Sequence, residues 1–196
     1  MAAADKWDAR YRDQGIDAPQ PARVLRDMAH LLPASGRALD LACGLGANGL
    51  FMARRGLSVD AYDLSTVVVD KLNDLARRDN LSLAASCRDV EHTPPASESF
   101  DVVVVSYFLS RPLMRALTEA LRPHGLLFYQ TFIRDSIDVS GPANPAYRLD
   151  SNELLHAFAP LRILFYREEG RVGDVSRGFR NEAMLVGQKP AGEGAS

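Results

Sequence analysis

The stretch FDVVVVSYF, residues 100–108, constrains the fold more than any other part of the chain. Val102 to Val105 are apolar at consecutive positions, and side chains along a strand point alternately to opposite faces. A strand of this kind must be buried on both sides, as in a parallel sheet flanked by two helical layers. The rest of the chain supplies those layers. RALDLAC (37–43), LSVDAYD (57–63), LSLAASCRD (81–89) and LLFYQTF (126–132) read as further strands. Between them, residues 22–32, 49–55, 66–79 and 112–122 carry helical spacing, with Ser65 placed to cap the third. Asp150 and Glu153 form a capping-box-like start for the helix NELLHAF, and the irregular segment 133–149 before it reads as a long functional loop. Residues 161–169 and 181–189 read as two closing strands in an antiparallel hairpin at one sheet edge. The expected fold class is therefore α/β, a doubly wound Rossmann-like sheet with ligands beyond the carboxyl ends of the strands. Residues 1–189 are expected to form a single domain, and 190–196 a disordered tail.

Composition narrows the function. The chain has 196 residues, 46% of them hydrophobic, enough for a core without disulfides or metals. A net charge of −2 with both signs interspersed gives no electrostatic footprint for nucleic acid and no polybasic membrane patch. Cys43 and Cys87 stand alone, which fits a reducing compartment, and the charged first residues do not resemble a secretion signal. No apolar run reaches the ~18 residues of a membrane span. The expectation is a cytoplasmic protein with a small-molecule substrate and no nucleic-acid or membrane partner; nothing fixes its oligomeric state.

The first strand runs into LDLACGLGANG, residues 39–49, with glycines at 44, 46 and 49 in the spacing G-x-G-x-x-G. Gly44 permits a tight turn, Gly46 a close backbone approach, and Gly49 tight helix packing. Asp63, 19 residues beyond Gly44 at the end of the second strand, stands where an acid binds a ribose hydroxyl pair. These features alone leave a nicotinamide dinucleotide open. Asp40 argues otherwise: a carboxylate beside the loop opposes a pyrophosphate, and buried among Leu39, Leu41 and Ala42 it would be costly if charged and unpaired. A cationic ligand group would relieve that cost. S-adenosylmethionine, with an ammonium, a sulfonium and no phosphate, fits better than NAD.

With LDLACGLGANGL, VDAYDLS, CRDV and FDVVVVSYFLS in place, the chain resembles the class I S-adenosylmethionine-dependent methyltransferases. That resemblance implies a strand order of 3-2-1-4-5-7-6 with the last strand antiparallel. It places Asp40 near the methionine amino group, Asp63 at the ribose, Asp89 at the adenine amine beside the Val90 backbone, and Ser106 beneath the methionine end. Ala42, Gly44, Gly46, Asn48 and Leu64 complete the implied cofactor contacts around the loop. WDARY, GPANPAYRL, NELLHAF and the ending YREE…NEAMLVGQKP extend the likeness to small bacterial methyltransferases grouped with tellurite-resistance proteins, with thiopurine S-methyltransferases more distant. The resemblance further implies that residues 1–20 form a lid helix, with Tyr11, Tyr107 and Phe108 lining the sulfonium pocket. Two positions depart from the family pattern: Ala47, where Arg is common, and Arg148, where an apolar residue is usual.

The acceptor is less legible. No nucleophile dyad is present, the four histidines match no metal spacing, and the Pro-Pro-aromatic signature of DNA adenine methylation is absent from Ser106-Tyr107-Phe108-Leu109. Arginines are frequent in the two loops expected over the cofactor side. Arg134, Arg148 and Arg177, with Tyr147, are the candidate contacts for a small acceptor, whether anionic, thiol or metalloid. The expected function is S-adenosylmethionine-dependent methyl transfer. An NAD-dependent oxidoreductase and a non-catalytic S-adenosylmethionine-binding module are the alternatives.

Overall fold

The computed structural model describes residues 3–15 and 20–191. Its strands are β1 (Arg37–Leu41), β2 (Ser58–Asp63), β3 (Leu83–Cys87), β4 (Phe100–Ser106), β5 (Leu121–Phe132), β6 (Arg162–Glu168) and β7 (Glu182–Gln188). They form one sheet in the order β3-β2-β1-β4-β5-β7-β6. β7 is antiparallel to both of its neighbours, and every other pairing is parallel. This is the order and polarity expected from the sequence.

The helices are α1 (Ala3–Tyr11), α2 (Arg23–Asp27), α3 (Ala47–Ala53), α4 (Thr66–Arg78), α5 (Met114–Ala120) and α6 (Glu153–Ala157). Residues 102–105 do face two ways. Val102 and Val104 join one core with Ala38, Phe128, Met184 and Val186, under α2, α3 and α4. Val103 and Val105 join the other with Leu39, Leu41, Leu127, Tyr129 and Leu185, under α5 and α6. Period-2 alternation thus sorts the sheet into two layers, while the edge strand β3 leaves Ala84 and Ser86, on one face, exposed.

Local signals are mostly realised. Ser65 caps α4, its Oγ accepting the Val68 N–H at 3.3 Å. The helix expected over 22–32 is shorter: α2 stops at Asp27 and a 3₁₀ turn, Ala29–Leu31, completes the segment. Pro33 follows directly, and a tightened last turn is the usual way a chain leaves a helix ahead of proline. The capping box at α6 is half formed. Glu153 accepts the Asp150 N–H at 2.7 Å, but the Asp150 carboxylate pairs with Arg134 at 2.6 Å instead of capping the helix. The tail expected to be disordered lies outside the described residues from position 192 onward, as do positions 1–2 and 16–19 of the N-terminal segment. Among the described residues no helix is long and apolar enough to cross a membrane.

Candidate active site

The turn between β1 and α3 is built from backbone conformations that side chains rarely adopt. Ala42, Gly44 and Gly46 have φ of 53°, 50° and 73°. At Gly46 a Cβ would also meet the Leu72 side chain at 2.2 Å, so the α4 face presses against this turn. Ala42 holds the left-handed conformation without being glycine, a strained feature of the kind found at ligand-binding turns. Cys43 is buried within the turn, and burial pushes its thiol well up.

Asp40 has no solvent exposure, yet it has partners within the chain. Its Oδ2 accepts the Gly49 N–H at 2.8 Å, and its Oδ1 faces Asn48 Nδ2 at 3.4 Å. The first turn of α3, not a ligand cation, therefore relieves the buried carboxylate, which corrects the reason given from sequence for Asp40 requiring one. Burial still pushes its carboxyl up to about 7. The arrangement weighs against a pyrophosphate by a different route, because an α3 N–H that would receive the anion already serves Asp40.

Asp63 lies at the end of β2 with its Oδ2 on the Gly44 N–H at 2.8 Å and its Oδ1 on the Ser65 N–H at 2.9 Å. Burial raises its carboxyl. Asp89, beyond β3, is more open and accepts from His92 Nδ1 at 2.8 Å, the contact that most lowers its carboxyl. Val90 beside it is buried, and the Leu64 carbonyl accepts a weak bond from Cys87 Sγ. Nearby cations are engaged elsewhere: Lys71 Nζ donates to the carbonyls of Tyr11, Arg12 and Gln14, and Arg88 donates to those of Thr93 and Pro94. The ends of β1, β2 and β3 thus offer carboxylates and backbone around a glycine turn. That donor set fits a cationic, hydroxyl-bearing ligand.

Comparison with known proteins agrees. Residues 38–125 match the family model described as a methyltransferase domain. Over 186 residues the chain is 27% identical to the ubiquinone biosynthesis O-methyltransferase of Xanthomonas axonopodis pv. citri, covering 92% of this chain and 75% of that protein. It is 25% identical over 138 residues to TehB of Haemophilus influenzae, described as a probable S-adenosyl-L-methionine-dependent methyltransferase. That match takes in 67% of this chain and only 48% of TehB, so the chain spans about half the length of that relative. The family model and these relatives support a class I S-adenosylmethionine-dependent methyltransferase. The crystal structure of TehB shares the fold, with a TM-score of 0.72 and 20% identity over 95% of this chain and 66% of TehB. A structure described under the conversion of a disulfide bond into a thioacetal group during echinomycin biosynthesis does so too. Its TM-score is 0.71, with 23% identity over 98% of this chain and 95% of that one.

The N-terminal helix lies against α4 and the glycine turn. Asp8 accepts from Ser65 Oγ at 2.6 Å at the start of α4, while Lys71 holds the carbonyls at the end of α1. Tyr11, stacked on Trp7 at 5.8 Å, brings its hydroxyl to 3.1 Å from where a Gly44 Cβ would stand. Its partial burial pushes the phenol up to about 12. Phe108 does not join it. That ring packs into the opposite core, under α5, so of the three aromatics expected around a sulfonium the structure separates this one.

On the acceptor side, the loop arginines mostly hold the loops themselves. Arg148 is buried and donates to the carbonyls of Ile133, Ser140 and Pro142. Arg134 pairs with Asp150 and the Pro145 carbonyl. Arg171 bonds the Ser136 carbonyl, and Arg180 bonds those of Gly170, Val172 and Asp174. Tyr147 is exposed on the same loop as Arg148. Of the candidate arginines only Arg177 has an exposed guanidinium with no partner among the described residues.

Sequence reasoning named Asp40, Asn48 and Ser106 but missed that they belong to a polar row with Gln130 and Glu182. The positions facing the α2–α3 layer are apolar until the carboxyl ends, where they become Asp40 on β1, Ser106 on β4 and Gln130 on β5, with Glu182 opening β7. Asn48 joins the row, donating to Ser106 Oγ at 2.8 Å and accepting the Ala22 N–H at 2.8 Å. The available signal was a lone glutamine in the otherwise apolar LLFYQTF. A fully buried amide needs partners, and the partners mark the site.

Proposed function

We propose that this methyltransferase acts on a small neutral hydroxyl or thiol acceptor, with the cofactor held at the ends of β1, β2 and β3. The observation that carries the cofactor placement is Asp40 closing the α3 N-terminus while Asp63 and Asp89 stand at the neighbouring strand ends. When bound, S-adenosylmethionine supplies a methyl group already activated on a sulfonium. The chain's own residues then have to position an acceptor and exclude water, the source of most of the rate in such a displacement. In this reading Asp63 takes the ribose hydroxyls, Asp89 and the Val90 backbone take the adenine, and Tyr11 covers the methionine end.

The acceptor class follows from what the loops leave free. Arg134, Arg148, Arg171 and Arg180 are committed to carbonyls and carboxylates of their own loops, which leaves little positive charge for an oxyanion. The O-methyltransferase named among the relatives supports a hydroxyl acceptor. Arg177 alone favours the anionic reading, through its unpartnered guanidinium.

Thermal shifts with S-adenosylmethionine, S-adenosylhomocysteine and NAD test the cofactor; stabilisation by NAD alone would refute it. Methylation assays with catechol, thiophenol, tellurite and small carboxylates test the acceptor. Turnover confined to the oxyanions would overturn the neutral-acceptor reading and return weight to Arg177.

A further inference from the structure

A hydrogen-bond network with a defined direction lies at the carboxyl ends of β4 and β5, next to the β1–α3 turn. Gln130 is 1% exposed, and its Oε1 accepts the Val24 N–H at 2.8 Å. A backbone donor therefore fixes which end of the amide is which, so the orientation does not rest on choice. The Nε2 end then donates twice, to Tyr107 Oη at 3.1 Å and to the Glu182 carboxylate. Because the amide nitrogen can only donate, the Tyr107 oxygen accepts from it. The phenolic hydrogen is then left to point toward the Glu182 carboxylate, which the same amide nitrogen holds beside it. Gln130 thus gathers the Tyr107 phenol and one carboxylate around a single amide nitrogen.

The placement of that carboxylate is specific. Glu182 lies across from Phe132 in the β5–β7 register, two positions beyond the Gln130–Met184 pair, and Gln130 is itself level with Ser106. Tyr107 directly follows Ser106, is 52% exposed, and has a φ of 56°. A bulky residue in that conformation is held at a cost, here by its N–H bonding the Gln130 carbonyl at 2.8 Å. Its ring contacts Phe132 at 5.3 Å, and a Cβ at Gly141 would meet Phe132 at 2.5 Å, so the loop closes tightly over that wall. The charged groups acting on the network from α2 are Arg23, on Glu182, and Arg26, on Tyr107; Arg23 is itself paired with Asp27 at 3.0 Å.

We propose that Glu182 is the proton acceptor for methyl transfer, with Tyr107 and Gln130 as the residues that orient it. The inference rests on the methyltransferase reading of the neighbouring loop. As the acceptor's oxygen or sulfur forms its bond to the methyl carbon, the carbon–sulfur bond of the donor breaks and leaves its electron pair on sulfur. The acceptor's proton passes to the Glu182 carboxylate, which exchanges it with water after product leaves. An acceptor that is neutral at working pH needs this step, whereas an already ionised thiolate does not.

The test uses Glu182→Gln and Tyr107→Phe in the full chain. Calorimetric titration with S-adenosylhomocysteine comes first, and both variants should bind within about twofold of wild type. Failure of the wild type to bind removes the methyltransferase reading and this proposal with it. Failure of the Glu182→Gln variant alone would make Glu182 a cofactor or structural residue and overturn only the proposal. With catechol, Glu182→Gln should lower kcat by about 100-fold or more and remove the acidic limb of its pH profile, with thiophenol changed by less than about threefold. Equal losses on both acceptors in Glu182→Gln, no loss on either, or a wild type that turns over thiophenol while leaving catechol untouched overturns the proposal. A carboxyl-labelled glutamate titration of the S-adenosylhomocysteine complex decides independently of any acceptor. Removing the Tyr107 hydroxyl should raise the Glu182 midpoint, because a phenolic donor held beside a carboxylate favours its charged form. A midpoint identical in wild type and Tyr107→Phe would show there is no such network.

Discussion

Asp40 and Gly49 are joined by a 2.8 Å hydrogen bond from the Gly49 N–H to the Asp40 carboxylate, tying the end of β1 to the first turn of α3. A side chain at position 49 would meet that carboxylate at 3.2 Å, so the third glycine of the loop exists to let strand and helix approach. The bond is made in a site that raises the Asp40 carboxyl from an ordinary 3.8 to about 7, and desolvation is the main cause.

The sign of the resulting pH dependence is fixed. A carboxyl raised in the folded state favours folding most when protonated. Its contribution is complete below the ordinary value of 3.8 and is lost as pH rises through about 7. Asp40→Asn carries no titration, so the unfolding free energy of wild type minus that of Asp40→Asn should fall across this window and be flat above it. Urea unfolding from pH 4 to 8 measures the difference; a flat difference throughout would show that Asp40 titrates normally.

Gly46→Ala should destabilise the fold by more than about 2 kcal/mol, since the substitution forces a positive φ on alanine and drives a methyl into Leu72. Pairing it with Leu72→Ala should recover none of the backbone cost, because only the collision is relieved. A double-mutant cycle on unfolding free energies separates the two.

Ser65→Ala should cost about 1 kcal/mol through loss of the α4 cap. It also removes the hydroxyl that Asp8 accepts from, so α1 should loosen while the sheet stays intact. Limited proteolysis is the direct readout, with faster cleavage expected ahead of residue 20 and unchanged protection of β4 and β5.

Arg148→Ala and Arg177→Ala should behave oppositely. Removing Arg148 leaves the carbonyls of Ile133, Ser140 and Pro142 without their partner, a loss of about 2–4 kcal/mol from unpaired buried groups. Removing Arg177 should change stability by less than about 0.5 kcal/mol. A raised KM in Arg177→Ala at unchanged kcat would identify an anionic acceptor.

The elements and their order were legible in the sequence because they rest on short-range physics. The run at Val102–Val105 demands cover on two faces, Ser65 sits one residue ahead of a helical pattern, and three glycines define a turn whatever surrounds it. The resemblance carried by the loop, the two acids after it and the β4 strand was enough to name the cofactor. Partners of buried polar groups were not legible. Arg148 looked like a substrate contact until its three carbonyls were placed, and Asp40 looked unpaired until α3 turned back onto it. Gln130 acquires its meaning from Val24, 106 residues away in sequence, and from Glu182, 52 residues away. Which strand ends lie side by side decides those contacts, and strand adjacency is a property of the assembled sheet. The sequence by itself determined the sheet, the turn and the cofactor class. Only the tertiary structure decided which polar side chains satisfy one another, because those partners meet only once the strand ends are side by side.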